Sequence, residues 1–314
     1  MDKDFNLFKQ GAISGLHKGW NGFTWMMKII IPISFATMLL AWSGWLHYLD
    51  VVLKPAMGII NLPAAAALPL IIGMLTGIYG GIAAMVALPL TTKQMTLIGI
   101  FLLTAHNLIQ EGIIQGKSGI NPWKATLFRI GAATLTLWLL TPWFAPQTSA
   151  VNVAAVAATT IQPLFLPALQ SWMASTAWLT VKAFLVIMSI LTLMEILKIS
   201  GWIRYIVALL APLLKFMGLD SKLAFLWITA ILFGLAYGGS VIMEESKGGR
   251  LSKEELETLH LSIGINHSLI EDTLLLVALG LSAFWLYIPR LLMAVVAVHI
   301  LKLSHNLIQR RWIP

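Results

Sequence analysis

The chain has 314 residues, 58% of them hydrophobic and 11% charged, with a mean hydropathy of +0.84. A soluble domain carries about 25% charged residues, so this composition excludes one and places the chain in a lipid bilayer. The net charge of +8 calls for no nucleic acid, because lysines and arginines that flank spans and face anionic lipid account for it. Cysteine is absent, which removes disulfides, iron–sulfur clusters, thiolate metal sites and cysteine nucleophiles.

Residues 1–25 read as an N-terminal amphipathic helix lying at the interface. Phe5, Phe8, Ala12 and Leu16 share one stripe with lysines among the polar positions, and no cleavage site precedes the first apolar run. A spanning helix needs about 20 mostly apolar residues. Residues 27–45 meet that length, whereas 51–60, which contain Pro55, are too short and belong at the interface or re-enter. Residues 65–88, 95–113 and 125–143 follow. The stretch 149–173 is free of charge but interrupted by Pro163 and Pro167, so it is either a further span or a crossover. Then come 178–197, the short 203–216, 223–243, 256–279 and 283–303. Eight to ten hydrophobic segments of this kind make an all-α integral membrane protein.

The chain also contains itself twice. Ser43-Gly44-Trp45-Leu46-His47-Tyr48-Leu49 recurs 157 residues on as Ser200-Gly201-Trp202-Ile203-Arg204-Tyr205-Ile206, with Pro55 matched by Pro212. Tyr79-Gly80-Gly81 returns at an offset of 158 as Tyr237-Gly238-Gly239, and His106 to Glu111 returns at 161 as His267 to Asp272. The drift puts an insertion in the polar loop around Lys247 to Glu257. The domains are then 1–25, a first repeat over 26–115, a connection over 116–176, a second repeat over 177–282, and a C-terminal helix with a basic tail over 283–314. Four spans between the repeat starts give parallel copies and five give inverted ones. Lys and Arg divide almost evenly between the two sides, so the positive-inside rule does not choose. Transporters are commonly built from inverted copies, and this analogy favours inversion.

Charged groups in apolar segments cost about 2.5–3.5 kcal/mol each at mid-bilayer, so they point to function. Asn266, His267, Glu271 and Asp272 lie together in 256–279. On a continuous helix, His267 and Glu271 fall one turn apart on one face with His260 and Gly264. Such a pair binds a cation, relays a proton or holds a polar solute; it equally suits a network pinning two helices. His106, Asn107 and Gln110 are the first copy's version, with an amide in place of the carboxylate, and Glu111 at the segment's end reads as solvated. Gly80 and Gly81 are answered by Gly238 and Gly239. Glycine permits a helix break, so a break at Tyr-Gly-Gly would offer backbone groups to a solute, while small residues at helical spacing equally serve close packing. Glu195 is expected to pair with Lys198, and Lys182 to snorkel. No Walker loop, zinc helix, nucleophile elbow or dinucleotide fingerprint is present, so no cofactor and no metal set is read, and any transport is driven by a gradient or follows a passive pathway.

These residues resemble the nucleoside-recognition, or Gate, domain. It is shared by the membrane part of bacterial ferrous-iron transporters, by spore maturation proteins and, more loosely, by concentrative nucleoside transporters. The resemblance rests on Gly77-Ile78-Tyr79-Gly80-Gly81 with His106 to Glu111, and on Gly234-Leu235-Ala236-Tyr237-Gly238-Gly239 with Asn266 to Thr273. It covers roughly residues 30–115 and 185–280 and leaves 120–180 unassigned. It implies two Gate units forming a solute pathway. The iron transporters use cysteine and a GTPase domain, both absent here, which argues against their mechanism.

The resulting expectation is a secondary transporter or permease for a small polar solute, in the cytoplasmic membrane of a bacterium. Its site would lie between the repeats at Asn266, His267, Glu271, Asp272, His106, Asn107 and Gln110, with backbone groups from Gly80, Gly81, Gly238 and Gly239. The alternative is a non-transporting membrane scaffold of the spore-maturation kind. An intramembrane lipid enzyme is the third reading, and no nucleophile supports it. The expected partners are the lipid bilayer and the solute, with no nucleic acid; a homo-oligomer or a Gate-family partner is compatible.

Overall fold

The computed structural model describes residues 2–144, 164–202, 221–247 and 251–311, together with residue 249 and scattered positions from 205 to 219. Residues 149–163 of the expected crossover and much of 203–216 lie outside the described residues. Among the described residues no strand occurs, and six segments are long and apolar enough to cross a membrane. The chain is an all-α, multi-pass membrane protein.

Helix α1 (Asp2–Trp42) runs unbroken through both the expected interfacial segment and the first span, so the boundary expected at residue 25 falls inside a helix. Pro32 does not end it. Helix α2 (Trp45–Ile59) follows after Gly44 in the left-handed region (φ 78°). The chain then bends by 87° into the next apolar piece. There, α3 (Ala67–Thr76) and α4 (Ile78–Val86) are separated by Gly77 at φ 99°, ψ 176°. They fold back on each other, because a Cβ on Gly81 would lie 3.2 Å from the Gly73 Cα. Eight residues of continuous helix would hold those positions about 12 Å apart. The segment read as a span over 65–88 is therefore a hairpin with its tip at Gly77.

Next come α5 (Thr92–Ala105), α6 (Leu108–Lys117) and α7 (Pro122–Leu140). The break between α5 and α6 places Asn107 in the left-handed region at φ 49°. Helix α8 (Phe165–Ile199) absorbs the described end of the 149–173 stretch and the whole of 178–197. Pro167 sits in its first turn, where the missing N–H costs nothing. The repeat boundary expected at 176 thus falls inside α8, and the one expected at 115 falls inside α6.

The second copy repeats this plan. Helix α9 (Ser221–Lys247) breaks at Gly234 (φ 77°, ψ 170°), and a Cβ on Gly238 would lie 2.5 Å from the Ala230 Cα, so it too is a hairpin. Then come α10 (Lys253–Asn266), a break that places Ser268 at φ 48°, α11 (Glu271–Ala278) and α12 (Ala283–Arg311). Thr91 caps α5 and Ser252 caps α10, each in a capping box, and these caps lie 161 residues apart like the two histidines. The hairpin tips Gly77 and Gly234 keep the offset of 157. The Tyr-Gly-Gly match at 158 is therefore one residue out of structural register. Each repeat also takes in the helix after its broken span, α7 or α12.

The orientation of the copies follows from α1 and α8, which hold equivalent places. They pack antiparallel, from Gly11 against Ile196 through Phe23 on Phe184 to Trp42 on Phe165. Equivalent helices that cross in opposite senses make the repeats inverted. Gly11, Gly15 and Gly19 let the backbones touch, since a Cβ on Gly15 would sit 2.5 Å from the Thr192 Cα. Glu195 on α8 bonds Lys18 (2.7 Å) and Ser14 (3.2 Å) across this seam, partners from α1 in addition to the Lys198 expected from sequence. Gly15→Ala is expected to lower stability in detergent by about 1–3 kcal/mol through overpacking. Gly58→Ala, with nothing within 4 Å of the new Cβ, serves as the neutral control. Equal thermal unfolding of both variants would contradict this packing.

Candidate functional site

A helix that stops inside a membrane leaves N–H and C=O groups without partners, at a cost of several kcal/mol each if they stay unpaired. Four such stops converge here, and each is met by a specific donor or acceptor. Gly73 O accepts the N–H groups of both Gly77 and Asn107 at 3.0 Å, and Ile231 O accepts Leu269 N–H at 2.8 Å. Each hairpin thus caps the break in the broken helix of its own repeat. The carbonyls on the other side of each break are met by arginine. Arg129 on α7 donates from Nε to Thr104 O and from Nη2 to His106 O, both at 2.8 Å. Arg290 on α12 donates to Ile265 O (Nε, 3.2 Å), His267 O (3.0 Å) and Leu103 O (2.9 Å). Arg129 and Arg290 are matched at 161 residues and are fully buried.

With the breaks held this way, the two histidines meet Nε2 to Nε2 at the crossing of the copies, their rings tilted by 43°. His106 Nε2 and His267 Nε2 are 3.2 Å apart, and their ring centroids are 4.7 Å apart. Nδ1 of His106 lies 2.7 Å from Leu102 O and Nδ1 of His267 lies 3.1 Å from Gly264 O. Glu111 reaches both rings, with Oε1 3.4 Å from His106 Nε2 and Oε2 3.2 Å from His267 Nε2. Its Oε2 is also 2.6 Å from Arg129 Nη1. Asp272 Oδ2 is 3.5 Å from His106 Nε2 and has no hydrogen-bond partner. His106, Glu111 and His267 offer ligand atoms that all lie within 4.8 Å of one another.

Of the residues expected at the site, His106, His267 and Asp272 come together. Asn266 is completely buried beside them, and neither of its amide atoms has a partner. Glu271 departs from the expected pairing with His267. The i, i+4 argument assumed a continuous helix, but the chain breaks at 267–270 and turns Glu271 towards the first hairpin, where it accepts a 2.6 Å bond from Tyr79 OH. Asn107 and Gln110 bond each other at 3.2 Å on a more exposed side of the first break. Gly80, Gly81, Gly238 and Gly239 lie inside helices and are buried. The break falls at Gly77 and Gly234 instead, and the Tyr-Gly-Gly glycines give close packing: a Cβ on Gly81 would meet Gly73, and one on Gly239 would meet Ile114 Cγ2 at 2.5 Å. His260 bonds Ser118 O (3.2 Å), and its own carbonyl accepts from Gln115 Nε2 (3.0 Å), which ties α10 to the end of α6. Glu111, read as solvated, is buried and central. Glu111, Arg129 and Arg290 were missed. The signal that finds the arginines is their matched position in two apolar segments at the histidine offset.

No protein-family model matches the chain, and no solved structure matches it. It is similar to "Uncharacterized membrane protein YvoD" of Bacillus subtilis (strain 168), with 25% identity over 309 residues that cover 98% of this chain and 96% of that protein. The likeness extends through both repeats. Arg129→Gln removes the partner of a buried carboxylate, for which the loss is about 3–5 kcal/mol. The expected outcome is a large drop in thermal stability, partly restored by Arg129→Gln with Glu111→Gln. Unchanged unfolding of the single variant would rule out the brace.

Proposed function

We propose that the chain is a secondary transporter or permease that carries a small polar solute across the cytoplasmic membrane of a bacterium. The observation that carries this reading is the placement of a buried ionisable cluster where two inverted repeats, two re-entrant hairpins and two broken helices meet. Intramembrane broken helices persist only where protein or a cavity serves the freed groups, and in repeat-built transporters that place is the solute site. The Gate-domain resemblance points the same way, and full-length similarity to another membrane protein is in keeping with it. In this reading His106, His267, Glu111 and Asp272 form the polar centre. Asn266 supplies unpaired amide groups, and Tyr79 with Glu271 links the first hairpin to the second break. Imidazole titrates near neutral pH, so the histidine pair is the natural point of coupling to protons. In this reading the chain is a carrier and not an enzyme.

The scaffold reading draws on one observation: both arginines spend most of their donors on backbone carbonyls, as a purely structural brace would. Uptake separates the two. The purified chain in liposomes, given nucleosides, nucleobases, amino acids and organic acids under an imposed pH gradient, is expected to accumulate one class. His267→Gln is expected to abolish that uptake while eluting as a folded, monodisperse protein. Wild-type uptake by the folded variant, or no uptake of any class, would favour the scaffold.

A further inference from the structure

The two histidines present a hydrogen-bonding conflict that a cation resolves. Leu102 O and Gly264 O are carbonyl oxygens and only accept, so the Nδ1 atoms facing them at 2.7 and 3.1 Å carry the protons. A neutral imidazole protonated at Nδ1 has a bare lone pair at Nε2. With both rings neutral, two such lone pairs face each other at 3.2 Å. A carboxylate oxygen of Glu111 approaches each, and Asp272 Oδ2 adds a further acceptor that has no partner. This is an inward-facing set of electron pairs, all at least nine-tenths buried. Unpaired buried acceptors of this kind are destabilising.

The distances suit a particular occupant. Imidazole nitrogens bind divalent first-row ions at about 2.0–2.1 Å, so nitrogens 3.2 Å apart subtend about 100° at such an ion, between the octahedral and tetrahedral angles. The second coordination sphere is in place as well: backbone carbonyls fix both rings through Nδ1, and Arg129 orients Glu111 at 2.6 Å, as outer partners do in metal sites. We infer that His106 Nε2, His267 Nε2 and the Glu111 carboxylate form a binding site for a divalent transition-metal ion of zinc or cobalt type, with the Asp272 carboxylate beside His106 adding negative charge next to it. The ion clamps the two inverted repeats together at their crossing, one imidazole from each. The site stands whether or not the chain transports a solute, and protons compete with the metal for the same lone pairs, so binding weakens as pH falls.

The test uses the full-length chain, purified without a histidine tag and stripped with chelator, then titrated with zinc and separately with cobalt. One ion per chain is expected, and the cobalt complex is expected to show visible bands and X-ray absorption from two imidazole nitrogens. His106→Gln and His267→Gln should each weaken zinc binding about tenfold or more, while His299→Gln, remote from the cluster, should leave it unchanged. If the site variants fail to fold, the wild-type cobalt spectrum decides alone: ligation without imidazole nitrogen, or no binding, overturns the inference. Folded site variants that bind zinc like wild type overturn it too. A chain that binds zinc but moves no solute keeps this inference and ends the permease reading; solute uptake without metal binding does the reverse.

Discussion

Backbone groups freed at helix breaks must find partners inside the protein, and two buried arginines supply most of them. Arg129 and Arg290 each reach back from the following helix to the carbonyls on the N-terminal side of a break. A guanidinium is suited to this role because its fan of N–H donors serves several carbonyls at once and it stays charged when buried. Once those carbonyls are held, the chain on the far side of each break is free to take a left-handed residue, Asn107 or Ser268. Non-glycine residues in that region carry about 1–3 kcal/mol of strain each, and the two matched copies of the strain frame the histidine pair. The brace thereby fixes where the imidazoles point.

The two copies use the same brace and differ in what it leaves over. Arg129 gives its remaining Nη1 to Glu111 at 2.6 Å, and Gly112 in the first copy offers no hydroxyl. The residue at the matching place in the second copy is Thr273, whose hydroxyl takes Arg290 Nη1 at 3.2 Å. Asp272, the counterpart of Glu111, is left without a hydrogen bond at Oδ2. Other matched pairs diverge in the same direction. Ala105 faces Asn266 in the alignment of copies, and Gln110 faces Glu271. The first copy therefore contributes the paired carboxylate, and the second contributes the unpaired carboxylate and the unpaired amide. Duplication supplied the geometry, and divergence after it made the centre one-sided.

Much of this was legible in the sequence. The repeats, the membrane class and the two histidines could be read because each leaves a local trace: a matched heptapeptide, an apolar run, a polar residue that costs energy in lipid. What could not be read was decided by chain reversal. Residues 65–88 have the length and hydropathy of a span, and only the contact of Gly73 with Gly81 shows the hairpin. Glu271 looked paired with His267 because periodicity assumes an unbroken helix. Glu111 looked solvated because its position along α6 says nothing of Arg129, which arrives from the next helix. Arg129 and Arg290 are each a single charge in an apolar segment, and only their match at the 161-residue offset marks them as a pair.

Inversion also constrains which residue can stand at the crossing. A group close to a pseudo-two-fold axis meets its own counterpart, so a carboxylate there would face a carboxylate and a guanidinium would face a guanidinium. Like charges at about 3–4 Å in a medium of low dielectric repel by several kcal/mol. An aliphatic residue would meet its copy without conflict but would leave the surrounding carboxylates nothing to bind. Imidazole can meet itself uncharged near neutral pH and still present a nitrogen lone pair for something held in common. The carboxylates around them are asymmetric, Glu111 held by Arg129 at 2.6 Å and Asp272 with no hydrogen bond at Oδ2. Placing the two histidines on the axis, and the charged partners off it, is the arrangement that an inverted duplication permits.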